Sequence, residues 1–288
     1  MINHETIISF PGLGIGEFSV NSVAFSVFGI SIAWYGIIIV LGMIAAFAYA
    51  SWRAKKNEGI SFDDMLDYAI FLIIFGVVGA RLYYVAFHGG VSSLYDLINL
   101  RSGGLAIYGG VIGGALAAFI VTKVKKLSFG RVTDATLPGV MLAQAIGRWG
   151  NFFNREAFGG YSDGLLAMQI RVDEAAYRTQ DLLDKAVTID GTQYIQVQPT
   201  FLYESLWNLG VLIIILLYRK YKKFDGELFM MYLFGYGIGR FIIESFRTDQ
   251  LLLPYIGLPV SQVLSACLAV FALIVMIYKR SRLKKSIH

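Results

Sequence analysis

The sequence predicts an all-α integral membrane protein built from seven transmembrane helices. Of its 288 residues, 56% are hydrophobic and 16% are charged, and the mean hydropathy is +0.61. A soluble domain of this length closes one core and keeps a charged surface. An apolar excess of this size therefore means that most side chains face lipid or other buried helices.

Seven segments are long and apolar enough to cross a bilayer as helices, which takes about 20 residues each. They lie near 28–50, 65–87, 104–122, 132–150, 200–218, 228–246 and 258–278. The fourth is the most polar, since it holds Asp134, Pro138 and Arg148. It is expected to face the interior of the bundle and to kink at Pro138.

The positive charges predict the orientation of these helices. Lysine and arginine concentrate after the first, third, fifth and seventh segments, at 53–56, 123–131, 219–223 and 279–285. Because basic connections stay in the cytoplasm, we expect the N-terminus outside the cell and the C-terminus inside. An odd number of spans agrees with this orientation.

The longest connection, 152–199, is acidic and is expected to form a small extracytoplasmic cap. Alternating apolar and polar residues at 167–172 and 194–198 predict a short strand pair with a polar helix between the strands. The chain thus divides into helices 1 to 4 at 1–151, the cap at 152–199, and helices 5 to 7 with a basic cytoplasmic tail at 200–288.

Glycine spacing predicts where helices pack closely. Two overlapping pairs in 109–114, and a third pair formed by Gly235 and Gly239, have glycines four residues apart. This spacing lets a neighbouring helix approach backbone to backbone. The third pair is similar to a nucleotide-binding loop, but it follows no strand and lies inside a predicted span, so helix packing is favoured.

Charged side chains inside the predicted spans indicate a functional site. Each costs about 2.5–3.5 kcal/mol on insertion scales and therefore needs a partner or a purpose. Arg81, Arg148, Arg240 and Glu244 all fall in the outer half of the bilayer under the predicted orientation, and Arg247 follows the sixth span.

Other polar groups are expected at the same level. Tyr236, Arg240 and Glu244 share one face of the sixth span because they are spaced four residues apart. The turn after Arg148 is rich in amides and glycine, which offer hydrogen-bond donors to an anion. The first and third spans and this turn contribute Tyr35, Tyr108, Asn151, Glu156 and Gly159.

Two interpretations of these charges are open. In one, they are buried braces between helices, with Arg240 paired to Glu244 and Arg148 paired to Glu156. In the other, they bind a phosphate, because guanidinium groups match phosphate oxygens with two parallel hydrogen bonds. Several arginines converging in the outer leaflet favour the second interpretation, with a phospholipid headgroup as the ligand.

The sequence lacks the motifs of several common enzyme classes. It has no Gly-x-Ser-x-Gly, no His-Glu-x-x-His, no Walker loop and no Asp-x-Asp pair. We therefore expect no metal and no cofactor, and the basic charge belongs to membrane topology rather than to nucleic-acid binding. Without a nucleophile of its own, an enzyme of this kind aligns a lipid phosphate and lets a second substrate attack.

The segment 144–159, QAIGRWGNFFNREAFG, resembles the signature of bacterial prolipoprotein diacylglyceryl transferases. The resemblance continues at 34–36, 103–110, 198–204 and 236–247, and it extends over the chain from about 34 to 265. A match of this length is specific.

The resemblance implies transfer of the diacylglyceryl group of phosphatidylglycerol to the lipobox cysteine thiol of a secreted prolipoprotein. A thioether forms and glycerol phosphate leaves, in the first step of bacterial lipoprotein maturation. It also implies a multi-pass protein of the bacterial plasma membrane with its site toward the outside. The expected catalytic residues are Arg148, Arg240, Tyr108 and Glu244, and the expected substrate-binding residues are Arg148, Asn151, Glu156, Gly159, Tyr35, Arg81, Tyr236 and Arg247.

One position departs from the family's pattern. Many members carry histidine where this chain has Tyr108, and that histidine is the proposed base for the thiol. A phenol with a pKa near 10 is a poor base, whereas a thiol with a pKa near 8.5 is already a few per cent ionised at neutral pH. We expect Tyr108 to position by hydrogen bond, the arginines to lower the thiol pKa, and Glu244 to orient Arg240.

Two other functions stay open on the sequence alone. A transporter or flippase binds an anionic lipid without chemistry, but such proteins usually show internal repeats and a polar path through the whole membrane. A different lipid-linked group transferase requires carboxylate pairs that hold a metal. Neither pattern is evident in this sequence.

Overall fold

The computed structural model describes residues 5–88, 104–254 and 256–285 and is mostly helical. Its long helices within these ranges each overlap one of the segments predicted to span the membrane. They are α1 (Trp34–Arg53), α2 (Phe62–His88), α3 (Ile107–Val124), α4 (Phe129–Asn154), α6 (Thr200–Tyr218), α7 (Glu227–Glu244) and α8 (Val260–Lys285), and a short helix, α5, covers Gln180–Asp184.

Five of these helices are long and apolar enough to cross a bilayer: α1 with its C-terminal extension, α2, α3, α6 and α8. The two long helices outside this group are α4 and α7, which carry Arg148 and Arg240. Part of their polarity comes from these candidate-site residues and part from other charged residues, such as Asp134 of α4 and Glu227 of α7. The prediction of a helical membrane protein is confirmed, whereas seven spans and their orientation stay predictions.

The described residues form two compact units. The first unit comprises those in Met1–Ala46, Pro138–Lys223 and Met230–His288, and the second comprises those in Phe47–Leu137 and Phe224–Phe229.

The strands among the described residues are β1 (Glu5–Phe10), β2 (Ile15–Asn21), β3 (Val23–Val27), β4 (Ile30–Ala33), β5 (Met168–Arg171), β6 (Val187–Ile189) and β7 (Thr192–Val197). Five of them form an antiparallel sheet in the first unit, with the strand order β2-β1-β5-β7-β6. The predicted strand pair is confirmed, because β5 pairs with β7 and Ile170 lies opposite Ile195, with α5 between the strands in sequence.

The N-terminal strands were not predicted, and they correct the start of the first span. Residues 28–33 are not helical, since β3 and β4 form a hairpin and α1 begins at Trp34. Phe28 and Gly29 at its tip both have positive φ, at 49° and 79°, as the favoured two-residue hairpin turn requires. The apolar residues at 28–33 alternate with small and polar ones and so follow strand periodicity.

The apolar face of the sheet packs against the end of α4 and the start of α6. Ile8, Ile170 and Ile195 are fully buried, and they cluster with Phe152 of α4 and Phe201 of α6. Burial of each such side chain contributes about 1.5–3 kcal/mol. The sheet therefore fixes the helix ends that carry the candidate site.

Glycine also decides how α6 meets α7 in the first unit. A Cβ on Gly239 would lie 2.1 Å from Trp207 Nε1, and a Cβ on Gly235 would lie 2.4 Å from Val211 Cγ1. The Trp207 indole donates to the carbonyl of Gly235 at 2.8 Å. Close packing at this glycine pair is confirmed, but the partner is a side chain rather than the predicted helix backbone.

In the second unit, α2 and α3 pack through glycine as predicted. A Cβ on Gly109 would lie 2.2 Å from the Gly79 carbonyl oxygen, and one on Gly113 would lie 2.2 Å from the Phe75 carbonyl oxygen. Gly114 has no atom within 4 Å of the corresponding position. The closest contacts are thus made by Gly109 and Gly113, Gly110 faces Gly76 at ordinary van der Waals distance, and Gly114 takes no part.

Contacts within the second unit explain why the carboxylate of Asp134 is stable although the residue is only 1% exposed. Its Oδ2 accepts from the backbone N–H of Gly226 at 2.8 Å, and its Oδ1 accepts from that of Phe229 at 3.0 Å. These donors lie at the N-terminus of α7, where N–H groups have no partner inside the helix and negative charge is favoured. Asp134 is therefore a structural cap in the interior.

Candidate active site

The two arginines predicted to meet one ligand lie on either side of a single carboxylate. Glu204, the fifth residue of α6, is 3% exposed. Its Oε1 lies 2.7 Å from Nη2 of Arg148 on α4, and its Oε2 lies 3.1 Å from Nη1 of Arg240 on α7. Three helices thus contribute charged groups to one buried cluster, which we call the ion cluster and define as Arg148, Glu204, Arg240 and Glu244.

Glu244 completes the ion cluster on α7. Its Oε2 lies 2.5 Å from Arg240 Nη2, so the predicted Arg240–Glu244 pair is confirmed. Arg240 is therefore held at both of its terminal nitrogens by carboxylates. Such charge-assisted bonds are about twice as strong as neutral ones, and they fix the plane of the guanidinium.

The alternative brace between Arg148 and Glu156 is wrong as a direct contact. Asn151 lies between the two residues, because its Oδ1 accepts from Arg148 Nη1 at 3.3 Å and its Nδ2 donates to Glu156 Oε1 at 2.9 Å. Asn154 Nδ2 donates to the same Glu156 oxygen at 3.4 Å. Arg148, Asn151 and Glu156 are therefore brought together, with an amide as the link.

Helix packing sets the level of the ion cluster. The hydroxyl of Ser205 donates to the Ala145 carbonyl at 2.9 Å, which fixes α6 against α4 one residue away from Glu204. Buried polar residues form a stripe along the first half of α6, whereas buried Leu212 and Ile215 continue the same face as an apolar surface. The polar members of the stripe are Thr200, Glu204, Ser205 and Asn208.

Asn208 is the deepest polar residue of this stripe. It is fully buried one helical turn from Glu204, and neither Oδ1 nor Nδ2 has a hydrogen-bond partner among the described residues. An unsatisfied buried polar group costs about 1–3 kcal/mol. The amide is therefore a candidate polar contact for a ligand bound at the ion cluster.

The turn after α4, which contains Glu156, has an unusual backbone conformation. The Glu156 N–H donates to the Asn151 carbonyl and the Arg155 N–H to the Phe152 carbonyl, both at 3.1 Å, in the pattern that commonly ends a helix. Arg155 and Ala157 have φ of 52° and 56°, where glycine is normally preferred. Such strain costs of order 1 kcal/mol per residue and is typical of functional sites.

Tyr35 and Tyr236 lie beside Arg148, as expected. The ring of Tyr35 packs on Gly150, where a Cβ would lie 2.4 Å from Tyr35 Cδ2, and Glu156 and Arg148 both act electrostatically on its hydroxyl. Tyr236 interacts with Arg148 and stacks on Tyr232 with ring centres 5.8 Å apart.

Gly159 and Arg247 hold neighbouring segments together. They form a β-bridge, and the Gly159 N–H donates to the Gln198 carbonyl at 2.9 Å. A Cβ on Gly159 would lie 2.9 Å from the Phe246 carbonyl oxygen, so only glycine fits there. Arg247 makes two bonds to Asp249, at 2.9 Å and 2.6 Å. Although burial acts to lower the pKa of Arg247, the Asp249 carboxylate raises it above its usual range.

Arg81 and Tyr108 belong to the second unit. Arg81 is 8% exposed, and its Nη1 donates to the Gly104 carbonyl at 2.9 Å. Gly104 has φ of 78°, and a Cβ there would lie 2.5 Å from Arg81 Nη1, so the glycine allows the backbone to reach the guanidinium. Tyr108 packs near Tyr83 with ring centres 6.4 Å apart.

The sequence-based site omitted Glu204 and Asn208. Both lie at the start of a long apolar helix, where an acid and an amide one turn apart are as unusual as the arginines that were selected. Glu204 also ends the stretch at 198–204 that carries part of the family resemblance. That signal was present and would have identified Glu204.

Comparison with known proteins gives a family for this arrangement. The family model for prolipoprotein diacylglyceryl transferase matches residues 22–278. The chain is 41% identical over 269 residues to the phosphatidylglycerol–prolipoprotein diacylglyceryl transferase of Clostridioides difficile, which covers 93% of this chain and 98% of that protein. It is 42% identical over 265 residues to the protein of the same name from Enterococcus faecalis. This alignment covers 91% of each chain.

The match includes every helix that contributes to the ion cluster and extends over most of the chain. On this evidence, the chain belongs to the prolipoprotein diacylglyceryl transferase family.

Proposed function

We propose that this chain transfers the diacylglyceryl group of phosphatidylglycerol to the cysteine thiol of a prolipoprotein lipobox, and that the ion cluster holds the phosphate during transfer. The observation that carries this proposal is the Glu204 bridge, which keeps the Arg148 and Arg240 guanidinium groups on either side of one carboxylate. The names of the relatives support the substrates, and the cluster supports the location of the chemistry.

The reaction moves one negative charge from sulfur to phosphate. The thiol gives its proton to water, and the thiolate attacks the glycerol carbon of the diacylglyceryl group that is bonded to the phosphate oxygen. The carbon–oxygen bond to the phosphate breaks, and its electron pair stays on the departing phosphate oxygen. Arg148 and Arg240 stabilise this added charge, because fixed donors in a site of low dielectric constant act most strongly where charge develops.

The carboxylates of the ion cluster orient the arginines rather than react. The two guanidinium groups are matched in charge by Glu204 and Glu244, so attraction for a lipid phosphate depends on the remaining N–H donors and not on net charge. Each guanidinium carries five N–H donors. Arg148 has a side chain 22% exposed, compared with 12% for Arg240, and is therefore the more accessible to the phosphate.

The neighbouring polar groups are proposed to bind the rest of the substrate. Asn151 and Glu156 are linked to Arg148 through hydrogen bonds, Tyr236 interacts with the same guanidinium, and the Tyr35 ring packs on Gly150. Arg247, Gly159 and the second unit's Arg81 stay proposed binding residues. The geometry supports a role for Gly159 in packing, and for Arg81 in holding the backbone at Gly104.

We propose that the substrate thiol is deprotonated without help from a histidine base. Tyr108 occupies the position in question, and a phenol gives hydrogen-bonding rather than basic help at neutral pH. We predict that Tyr108→Phe keeps measurable transfer, whereas Arg240→Ala abolishes it. A phenylalanine variant without activity beside an active alanine variant would reverse these assignments.

We propose that the protein has the membrane arrangement predicted from its sequence. Seven spans place the N-terminus outside and the C-terminus in the cytoplasm of a bacterial plasma membrane, with helices 1 to 4 at 1–151, a cap at 152–199 and helices 5 to 7 at 200–288. The ion cluster then lies toward the extracytoplasmic side. A fluorescent protein fused after the C-terminus is expected to be bright in cells, and a dark but stable fusion would contradict this orientation.

A reconstituted assay tests the proposed activity. The purified protein is incubated with phosphatidylglycerol and a lipobox peptide in a metal chelator. A diacylglyceryl mass gain on the cysteine is expected for the wild type and is lost when the cysteine is replaced by serine. Lipid movement across vesicles without an adduct would show a transporter instead, and an adduct that requires added metal would show a different transferase chemistry.

A further inference from the structure

An apolar groove formed by α6, α7 and α8 lies on the surface of the first unit. Its volume is about 470 Å³, within the ~300–1,000 Å³ of typical small-ligand sites. Trp207 lies toward one end and Tyr218 toward the other on α6, and Phe234 of α7 and Ile277 of α8 form the walls. The lining is almost entirely aliphatic and aromatic, so the groove suits a hydrocarbon chain.

The length of the groove matches one half of a bilayer. Trp207 and Tyr218 are eleven residues apart on α6, which corresponds to about 16 Å along a helix. The hydrocarbon core of a bilayer is ~30 Å thick, so each leaflet contributes ~15 Å of acyl chain. The groove therefore has the dimension of one acyl chain from a single leaflet.

One end of the groove is basic. Arg280 of α8 lines it there, hydrogen-bonded to the Tyr218 hydroxyl and with its guanidinium carbon 5.5 Å from the centre of the Tyr218 ring. Arg219 and Lys220 directly follow α6, and Arg282, Lys284 and Lys285 belong to the last turns of α8. No carboxylate is found among the groove's described lining residues. Basic groups beside an apolar groove between membrane helices are the chemistry that binds lipid phosphate.

We propose that this groove binds one acyl chain of an anionic membrane phospholipid, whose phosphate meets Arg280. The phosphate-binding end of this site is separate from the ion cluster, because Glu204 and Tyr218 stand fourteen residues apart on α6, or about 21 Å, whereas the Trp207 end of the groove lies one helical turn from Glu204. The bound lipid fills the surface shared by three helices. By mass action it stabilises the folded protein without taking part in transfer.

Lipid binding is tested by native mass spectrometry and thermal unfolding of the full chain. The probes are dioleoyl phosphatidylglycerol and dioleoyl phosphatidylcholine, which carry the same acyl chains. We expect two retained phosphatidylglycerol molecules per chain, one in each site, and a higher Tm with phosphatidylglycerol than with phosphatidylcholine. Equal retention and equal Tm with both lipids would overturn the proposal, because the groove would then show no preference for an anion.

Variants locate the site. Arg280→Gln is expected to remove one retained lipid. The variant should also need an about fivefold higher lipid concentration to reach the same increase in Tm, since one basic residue contributes about 1 kcal/mol to anionic lipid binding. Arg280→Lys restores the charge and should recover the response even if glutamine impairs folding. Ile277→Trp fills the groove and should also remove one lipid.

The matched control is Arg282→Gln. Arg282 lies over the Tyr278 ring at 5.1 Å and does not line the groove. Its variant should keep both lipids, and all four variants should keep wild-type transfer at saturating phosphatidylglycerol. If Arg282→Gln and Arg280→Gln lose lipid equally, the general basic charge of α8 binds the lipid and the groove does not. Loss of transfer in the Arg280 and Ile277 variants alone would place the substrate in the groove and overturn its separation from the ion cluster.

Discussion

Replacing Glu204 by glutamine is the sharpest perturbation of the ion cluster. Each carboxylate oxygen of Glu204 contacts a different guanidinium, at 2.7 Å and 3.1 Å. A glutamine amide has one acceptor oxygen, so its N–H₂ must face one guanidinium, and either the hydrogen bond with Arg240 or the ion pair with Arg148 is lost. Glutamine keeps the volume, and the change therefore tests charge and geometry rather than packing.

The expected magnitude follows from this single lost bond. A hydrogen bond to a charged group contributes about 1.5–3 kcal/mol. If that energy holds the guanidinium groups in place in the transition state, transfer slows about 10- to 150-fold, at 1.36 kcal/mol per tenfold. The loss should appear mainly in kcat, because the misplaced donor acts on charge that develops during the reaction.

The assay measures diacylglyceryl transfer to a lipobox peptide at saturating phosphatidylglycerol, together with the Tm of each variant. Glu17→Gln is the matched control, since Glu17 is exposed on the sheet of the same unit and accepts a hydrogen bond from Tyr194 at 3.0 Å. It should keep wild-type transfer. A Glu204→Gln variant with wild-type kcat would refute the role given to the bridge, as would a loss fully explained by a smaller folded fraction.

Three further substitutions test other parts of the structure. Asp134→Asn should lower the free energy of unfolding by about 1.5–3 kcal/mol, because one of two capped N–H groups then faces an amide N–H₂; unchanged thermal unfolding would contradict the cap. Gly109→Ala should destabilise by about 1–3 kcal/mol through overpacking, and Gly114→Ala, which meets open space, should not; equal Tm values for both would show that α2 and α3 separate freely. Asn208→Leu should raise Tm, since it removes an unpaired buried amide, and should slow transfer; full transfer would show that the amide serves no substrate.

The helices and part of the ion cluster were predictable because their signals are local. Long apolar segments predict where α1 to α4 and α6 to α8 lie, and the four-residue spacing of Arg240 and Glu244 places both side chains on one helix face. The strand pair that contains Ile170 and Ile195 was likewise predictable from alternation within each segment. Each of these features depends on residues close together in the sequence.

Contacts between distant segments were not predictable from such signals. The Ser9 hydroxyl donates to Gln169 Oε1 across the sheet, a pairing 160 residues apart that no periodicity encodes. Arg148 meets Glu204 rather than Glu156 because the register of α6 against α4 decides which acid is adjacent. The sequence predicted the pair of Arg240 with Glu244, which lie four residues apart, but it did not predict that Glu204 lies between Arg148 and Arg240.

In the proposed mechanism, Arg148 and Arg240 together hold one lipid phosphate. A structure of the wild-type protein in phosphatidylglycerol nanodiscs would locate the phosphate of the bound substrate. We expect phosphate oxygens at about 2.7–2.9 Å from nitrogens of both guanidinium groups, the range of charged hydrogen bonds. A phosphate bound by Arg81 or Arg247 instead, with the ion cluster untouched, would contradict it.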